Sequence, residues 1–271
     1  VKKLLTVEDL RVSLRAEQRE LVRGISFSVD AGKSLVLLGQ SGSGKTMTCR
    51  SIMGLLDAKR FMVTGSVLYN EKEILTMKKR ERCMLYGGDI SFVPQNPMTV
   101  LDPSMRIGKQ MCETLVLHKK VTKSESVRIA RQTLKRAGLQ SVDTILRSYP
   151  YTLSGGMLQR VIIAMAHMTQ AKLILADEPT TALDVVHRNE TIDTFTTLRN
   201  AGAAIFMVTH DFSAASQLGG ELCIMKEGEL IEYGQTKQVL RSPQNEYTRV
   251  LIEASSLSQR LTKGEPDECL K

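Results

Sequence analysis

The chain has 271 residues, 42% of them hydrophobic and 24% charged, and a formal net charge of +8. That length buries a large core in one elaborated domain or two small ones, and the composition is ordinary for a soluble globular protein. No apolar run approaches the roughly 18 residues of a membrane span, and VKKLLTVEDL meets acidic residues too early for a signal peptide, so the chain is expected in the cytosol.

Cys49, Cys83, Cys112, Cys223 and Cys269 form no C-x-x-C pair, which argues against a zinc site or disulfide scaffold and for reduced thiols. A pI of about 9.3 would suit nucleic acid or an anionic membrane surface, but Lys and Arg are spread along the chain without a long block. The charge therefore reads as a solvated surface.

In chain order, the first thirty residues read as β-rich. LLTVEDLRVSL alternates, and GISFSVDAG is a strand ended by a turn. SLVLLG (34–39) is a short buried strand that runs into a glycine loop. KTMTCRSIMGLL (45–56) has helical spacing, and VTGSVLYNEKEI (63–74) is a further antiparallel strand with an Asn turn. From about 103 to 170 the character is helical: IGKQMCETLVLHKK, SESVRIARQTLKRAGL and GGMLQRVIIAMAHM carry apolar residues at 3–4 spacing, with Ser124 as the candidate cap of the middle one. From 172 the β/α alternation returns with LILADEP, AAIFMVTHD and the hairpin ELCIMKEGELIEYG; the polar tail after about 254 is expected to be exposed or frayed. The expected fold class is α/β: a mostly parallel sheet forming a P-loop NTPase core, with an antiparallel β flank and a helical insertion.

GQSGSGKT (39–46) fits G-x-x-x-x-G-K-[ST]. Glycines let backbone N–H groups turn around a phosphate, and the following helix points its positive end at it. Gly39, Gln40, Ser41, Gly42, Ser43 and Gly44 form the cradle. Lys45 reaches the β- and γ-phosphates, and Thr46 holds Mg²⁺ through its hydroxyl. Asp177 and Glu178 end the buried strand LILADEP. An Asp there can complete the Mg²⁺ shell, and a Glu beside it can orient or deprotonate a water. His210, in MVTHD, also sits at a strand end and takes its weight from the other two elements. LSGGMLQR (153–160) places Ser154, Gly155 and Gly156 before a helix, a second anion site. Since the first loop already serves the chain's own nucleotide, the second points to a nucleotide held by another subunit.

With these residues in this order, the sequence resembles the ATP-binding subunits of ABC transporters over nearly its whole length. The resemblance implies a glutamine loop at Gln95 in FVPQNP, contributing to catalysis and the Mg²⁺ shell. It implies a signature at LSGGMLQR, a dimer-contact loop at TALD (181–184), a catalytic Glu178 and a switch at His210. It also implies ATP and Mg²⁺ as cofactors. The expected domain is an ABC ATPase over 1–254 with a helical subdomain at about 96–170, followed by a short polar tail over 255–271. The implied partners are a second ATPase subunit, identical or homologous, two transmembrane permease subunits and an extracytoplasmic substrate-binding protein, with no nucleic acid. The chain would then sit peripherally on the cytoplasmic face of the cell membrane.

FVPQNPMTVLDPSMRIGKQ, SYPYTLSGG and RSPQNEYTRVLIEA are similar to segments of the peptide and nickel importer branch. The short run after Ala254, with Cys269 alone, leans toward its nickel or metal–metallophore members over dipeptide and oligopeptide ones. Three positions depart from the family pattern. Leu14 stands where an aromatic often stacks on adenine, Gly220 where an Asp is common, and Leu158 where a polar residue is frequent. The alternative from another class is a non-transport ABC ATPase acting on DNA or ribosomes. Against it, only about a hundred residues separate Thr46 from Ser154, with no sustained heptads, and the chain carries one cassette.

Overall fold

The computed structural model describes residues 2–181 and 183–263. Strands β1 (Lys3–Leu14), β2 (Glu20–Asp30) and β3 (Ser34–Leu38) lead through the glycine loop into α1 (Lys45–Ile52). Then come β4 (Phe61–Tyr69), β5 (Lys72–Glu73), α2 (Lys79–Leu85) and β6 (Ile90–Val93). A helical stretch follows with α3 (Ile107–Lys119), α4 (Lys123–Arg136), α5 (Val142–Arg147) and α6 (Gly155–Met168). The chain then alternates through β7 (Leu173–Asp177), α7 (Val185–Asn200), β8 (Ala204–Thr209), α8 (Phe212–Leu218), β9 (Glu221–Lys226) and β10 (Glu229–Gln235) before α9 (Thr236–Arg241) and α10 (Glu246–Lys263).

These strands form two sheets. The larger has the order β10-β9-β3-β8-β7-β6 and is parallel except at the β9–β10 edge. The smaller is antiparallel, in the order β2-β1-β4-β5. This is the α/β fold expected from the sequence, with a mostly parallel core, an antiparallel flank and inserted helices.

The runs SLVLL, LILAD and AIFMVT are wholly buried because both faces of the central sheet are covered. Successive side chains of a strand point to opposite faces. Val36, Leu38, Ile174, Ala176, Ile205 and Met207 therefore join one core with the helices. Leu35, Leu37, Leu173, Leu175, Phe206 and Val208 join another core under the antiparallel sheet. Phe27 of β2 stacks on Phe206 of β8 with ring centroids 5.0 Å apart, which ties the two layers together.

Several details differ from the sequence reading. The cap of α4 is Thr122, whose hydroxyl accepts from the Glu125 N–H; Ser124 lies inside the first turn. T-x-x-E is a capping-box spacing, and it outcompetes the serine two residues on. Helix α1 stops at Ile52, short of position 56, because Gly54 turns the chain with φ +59°. Helix α10 passes position 254 and runs to Lys263. Cys49, Cys83, Cys112 and Cys223 are free thiols, and Cys269 lies outside the described residues. Gly220 has a physical reason to be glycine. Its φ is +87°, and an added Cβ would lie 2.4 Å from the Ser34 carbonyl oxygen. That close approach sets β9 against the start of β3.

Candidate functional site

The glycine loop, Gln95, Asp177, Glu178 and His210 each lie at or just beyond the end of a strand of the central sheet. After β3, Gly42 and Gly44 take φ of +83° and +109°, which only glycine adopts without strain. At Gly44 a Cβ would meet the Leu21 carbonyl oxygen at 2.7 Å, and at Gly39 the Met225 carbonyl oxygen at 2.3 Å. The loop is thus held tightly from outside, with its N–H groups left for whatever it cradles. Helix α1 has no side-chain N-cap and no acidic residue in its first turn, so its positive end is open to an anion. Lys45 is 5% exposed, and its Nζ donates to the Gly39 and Gln40 carbonyls at 2.8 and 2.9 Å. Burial pushes its pKa down, opposed by Glu178 and Asp177 nearby.

Asp177, at the end of β7, is fully buried. Its Oδ1 accepts from the Thr46 hydroxyl at 2.9 Å, while its Oδ2 is buried with no hydrogen-bond partner. Burial raises the Asp177 pKa, against the lowering effects of Thr46 and Arg50. The Ser43 Oγ is likewise buried and unpartnered. A buried carboxylate oxygen with no hydrogen bond, its nearest cation Arg50 Nε at 3.9 Å, and a buried unpartnered hydroxyl, both beside a glycine cradle, fit a phosphate with its divalent cation. Such groups are costly to bury without a partner.

Glu178 sits in the left-handed region with φ +50°, a conformation that costs a non-glycine residue about 1–3 kcal/mol. Its N–H is pinned to the Val208 carbonyl of β8 at 2.8 Å. Its Oε2 meets His210 Nδ1 at 2.8 Å and accepts from the Thr181 hydroxyl at 3.1 Å, and its Oε1 lies 3.9 Å from Lys45 Nζ. The strained backbone aims a nearly buried carboxylate into the cleft and holds it there from three sides. Gln95, just beyond β6, is exposed and borders the same cleft of about 620 Å³.

The structure therefore brings together the glycine loop, Gln95, Asp177, Glu178 and His210. It does not bring Ser154, Gly155 and Gly156 to that cleft. Ser154 caps α6 by accepting from the Met157 N–H at 3.3 Å, and Ser154 and Gly155 are exposed. An added Cβ on Gly155 would meet nothing within 4 Å, so that face is open to another molecule. Leu158, the departure next to it, is fully buried in the helical core and leaves the open face unchanged. Behind the face, Gln159 Nε2 reaches the Pro94 carbonyl at 3.4 Å, linking α6 to the segment that carries Gln95. Gly156 faces Leu183 of the TALD loop, whose Ala182 lies outside the described residues. The sequence places Thr181 in the TALD loop but not beside Glu178; only its position three residues on hints at its contact with that carboxylate.

The family model for the ABC transporter matches residues 22–181. The chain belongs to the ABC transporter family. Among curated relatives of this ABC ATPase, the metal-staphylopine import system ATP-binding protein CntD of Staphylococcus aureus is 36% identical over 250 residues, 92% of each chain. The oligopeptide transport ATP-binding protein OppD of Salmonella typhimurium is 38% identical over 254 residues, 93% of this chain and 76% of its own. Bacillus subtilis DppD, a dipeptide transport ATP-binding protein, is 35% identical over 93% of this chain and 76% of its own length. These relatives place the chain with the ATP-hydrolysing subunits of ABC importers, in the peptide and nickel branch. In fold it is similar to a dimeric, post-hydrolysis ATP-binding cassette, MJ0796, bound to ADP and Pi, with a TM-score of 0.76 at 24% identity over 86% of this chain and 98% of that one.

Leu14 is half-buried at the end of β1, opposite Phe61, and is not among the residues lining the cleft. Its N–H donates at 2.9 Å to the carbonyl of Arg19, which does line the cleft. Position 14 is where the family pattern often has an aromatic that stacks on adenine, which a tyrosine there would test. Base stacking is worth about 1–3 kcal/mol in single-stranded nucleic-acid sites, a loose guide here. Leu14→Tyr should therefore tighten ATP binding by roughly tenfold and leave the maximal rate unchanged. A fluorescent-nucleotide titration that gives the same Kd for both proteins would show that position 14 does not face the base.

Proposed function

We propose that the chain binds MgATP in the cleft between the glycine loop and Glu178, and that two such subunits close head to tail to hydrolyse it. The ATPase unit is taken as residues 1–254, with the helical subdomain at about 96–170 and 255–271 appended. The glycine loop and the N-terminus of α1 would hold the phosphates. Lys45 would move from the Gly39 and Gln40 carbonyls to the β- and γ-phosphates. Thr46, Asp177 and Gln95 would hold Mg²⁺, which offsets phosphate charge. Glu178 would take a proton from water, and His210, whose Nδ1 meets its Oε2 at 2.8 Å, would hold the transition-state oxygens. Ser154, Gly155 and Gly156 of the opposing subunit would cover the γ-phosphate. The observation that carries this reading is that separation: a complete phosphate-and-base cluster within one chain, and an open glycine-rich helix start outside it.

Gln95 and the segment behind it would pass closure to a transmembrane permease, through the Pro94–Gln159 link to α6. The full assembly proposed has two ATPase subunits, two permeases and an extracytoplasmic binding protein, with the ATPase peripheral on the inner face of the membrane. No helix among the described residues is long and apolar enough to cross a membrane itself.

The proposed cargo is Ni²⁺ or a metal–chelator complex. The match over 92% of a metal-staphylopine import subunit supports it. A second reading, import of short peptides, is supported by the 38% identity to an oligopeptide transport subunit. Deleting the gene should lower cellular nickel, or a related metal, in metal-poor medium. Normal metal content with lost growth on peptides would select the second reading.

A further inference from the structure

Arg188, in the first turn of α7, belongs to neither the phosphate cradle nor the proton acceptor, yet it reaches the loop that carries His210. Its N–H donates to the Asp184 carbonyl at 2.9 Å, and Asp184 caps the helix by accepting from the His187 N–H at 3.0 Å. The Arg188 guanidinium crosses to the start of α8, where its Nη1 lies 3.1 Å from Asp211 Oδ2. The two side chains are 33% and 15% exposed, so the pair is largely withdrawn from solvent. Asp211 is fixed in turn: its Oδ1 accepts from the Ser213 N–H at 2.8 Å, and its N–H donates to the Thr209 hydroxyl at 3.0 Å. His210 is therefore bracketed by Thr209, fully buried at the end of β8, and by a residue clamped to both α7 and α8.

The start of α7 also leads back to Glu178. Thr181 and His210 contact one oxygen, Glu178 Oε2, at 3.1 and 2.8 Å. Thr181 precedes α7 and His210 precedes α8, so the Arg188–Asp211 pair joins, behind the carboxylate, the two segments that meet on it. Folding alone gives that arginine little advantage. Its Nε is buried with no partner, and a buried ion pair is often no more stabilising than apolar side chains of similar volume. Helix α8 is held to α7 elsewhere as well, by Gln217 Nε2 donating to Asp193 Oδ1 at 2.9 Å. We propose that Arg188 is a positioning residue for His210: by gripping Asp211 it ties the imidazole, and through it Glu178, to the helix that follows the TALD loop. Neither Arg188 nor Asp211 lines the cleft, so the pair acts through His210. The proposal rests on Glu178 and His210 serving ATP hydrolysis there.

The test is a double-mutant cycle in the full chain, read as the single-turnover rate of ATP hydrolysis. Arg188→Met keeps an unbranched stem and removes the charge. With His210 present the rate should fall about tenfold, since a misplacement of about 1 Å at a reacting centre costs up to about 10²-fold. In a His210→Ala background the same substitution should change the rate by no more than about twofold, because the group it positions is gone. The Kd for a fluorescent ATP analogue should stay within about twofold in all four proteins, as for a loss confined to the transition state. Equal falls in both backgrounds, which a purely structural arginine would give, overturn the proposal. An unchanged rate with His210 present overturns it as well. Arg188→Met combined with Asp211→Asn leaves no carboxylate unmatched, and it carries the same cycle if circular dichroism shows the single variant to fold poorly. Failure of the unaltered chain to bind the analogue would instead defeat the ATP reading on which the proposal stands.

Discussion

Lys45→Ala should abolish turnover and reduce ATP affinity by about one to two orders of magnitude, as expected for loss of a hydrogen bond to a charged group. Lys45 is the cation buried among the carbonyls of the glycine loop, with Glu178 3.9 Å away. Burial alone would drive the amine toward its neutral form, and the carboxylates of Glu178 and Asp177 oppose that. A phosphate adds further negative charge to the same pocket, so the ammonium is worth more with nucleotide bound than without. Alanine removes that charge and leaves the phosphates facing two carboxylates. Isothermal titration with ATP, beside circular dichroism to confirm folding, checks it. Binding at near-normal affinity by a folded variant would remove Lys45 from the phosphate site.

Glu178→Gln should separate binding from hydrolysis. The amide keeps the size of the side chain and can still meet His210 and Thr181, which contact Oε2 at 2.8 and 3.1 Å. It cannot take up a proton as a carboxylate does. Loss of a general base costs about 10²–10⁴-fold in rate. Thr46, Asp177 and the loop are untouched, so ATP should bind about as well as before. The strained φ of +50° is a backbone property fixed by the Val208 bond, and the substitution leaves it in place. Phosphate release under saturating ATP, set beside a direct binding isotherm, measures both quantities.

Much of this was legible in the sequence because the residues that carry it sit in local context. SLVLL before GQSGSGKT specifies a buried strand, a left-handed glycine turn and a helix start within thirteen residues. LILAD and AIFMVT read as buried strands because all of their side chains are apolar or small, apart from Asp177 at the end of the first. The elements missed have weaker local signals. Strand β6 is only four residues at the sheet edge, too short to show a period. Helix α7 opens with exposed Val185 and Val186, while its buried Ile192, Phe195 and Leu198 come two turns later, so its apolar residues do not mark one face. Helix α2, KRERCML, is short and charged.

Within the site, the sequence identified the residue types at the strand ends but not the contacts between them. That Glu178 takes a left-handed φ, that Thr181 returns to its carboxylate, and that one Asp177 oxygen has no hydrogen bond are tertiary facts that the local sequence does not show. Gly220 shows the reverse: a departure visible in the sequence whose reason, the approach to Ser34, is visible only in space.

The claim at the centre is that an ATP held by one cassette is covered by Ser154, Gly155 and Gly156 of another. Multi-angle light scattering of Glu178→Gln with its partner ATPase, a second copy of the chain or a homologous subunit, tests it most directly. The account predicts a shift to the mass of a two-cassette complex on adding ATP, which persists because hydrolysis cannot reopen it, and no shift for Lys45→Ala under the same conditions. A Glu178→Gln protein that binds ATP yet stays at the mass of one cassette with either partner, or that hydrolyses ATP at close to the normal rate, would contradict it.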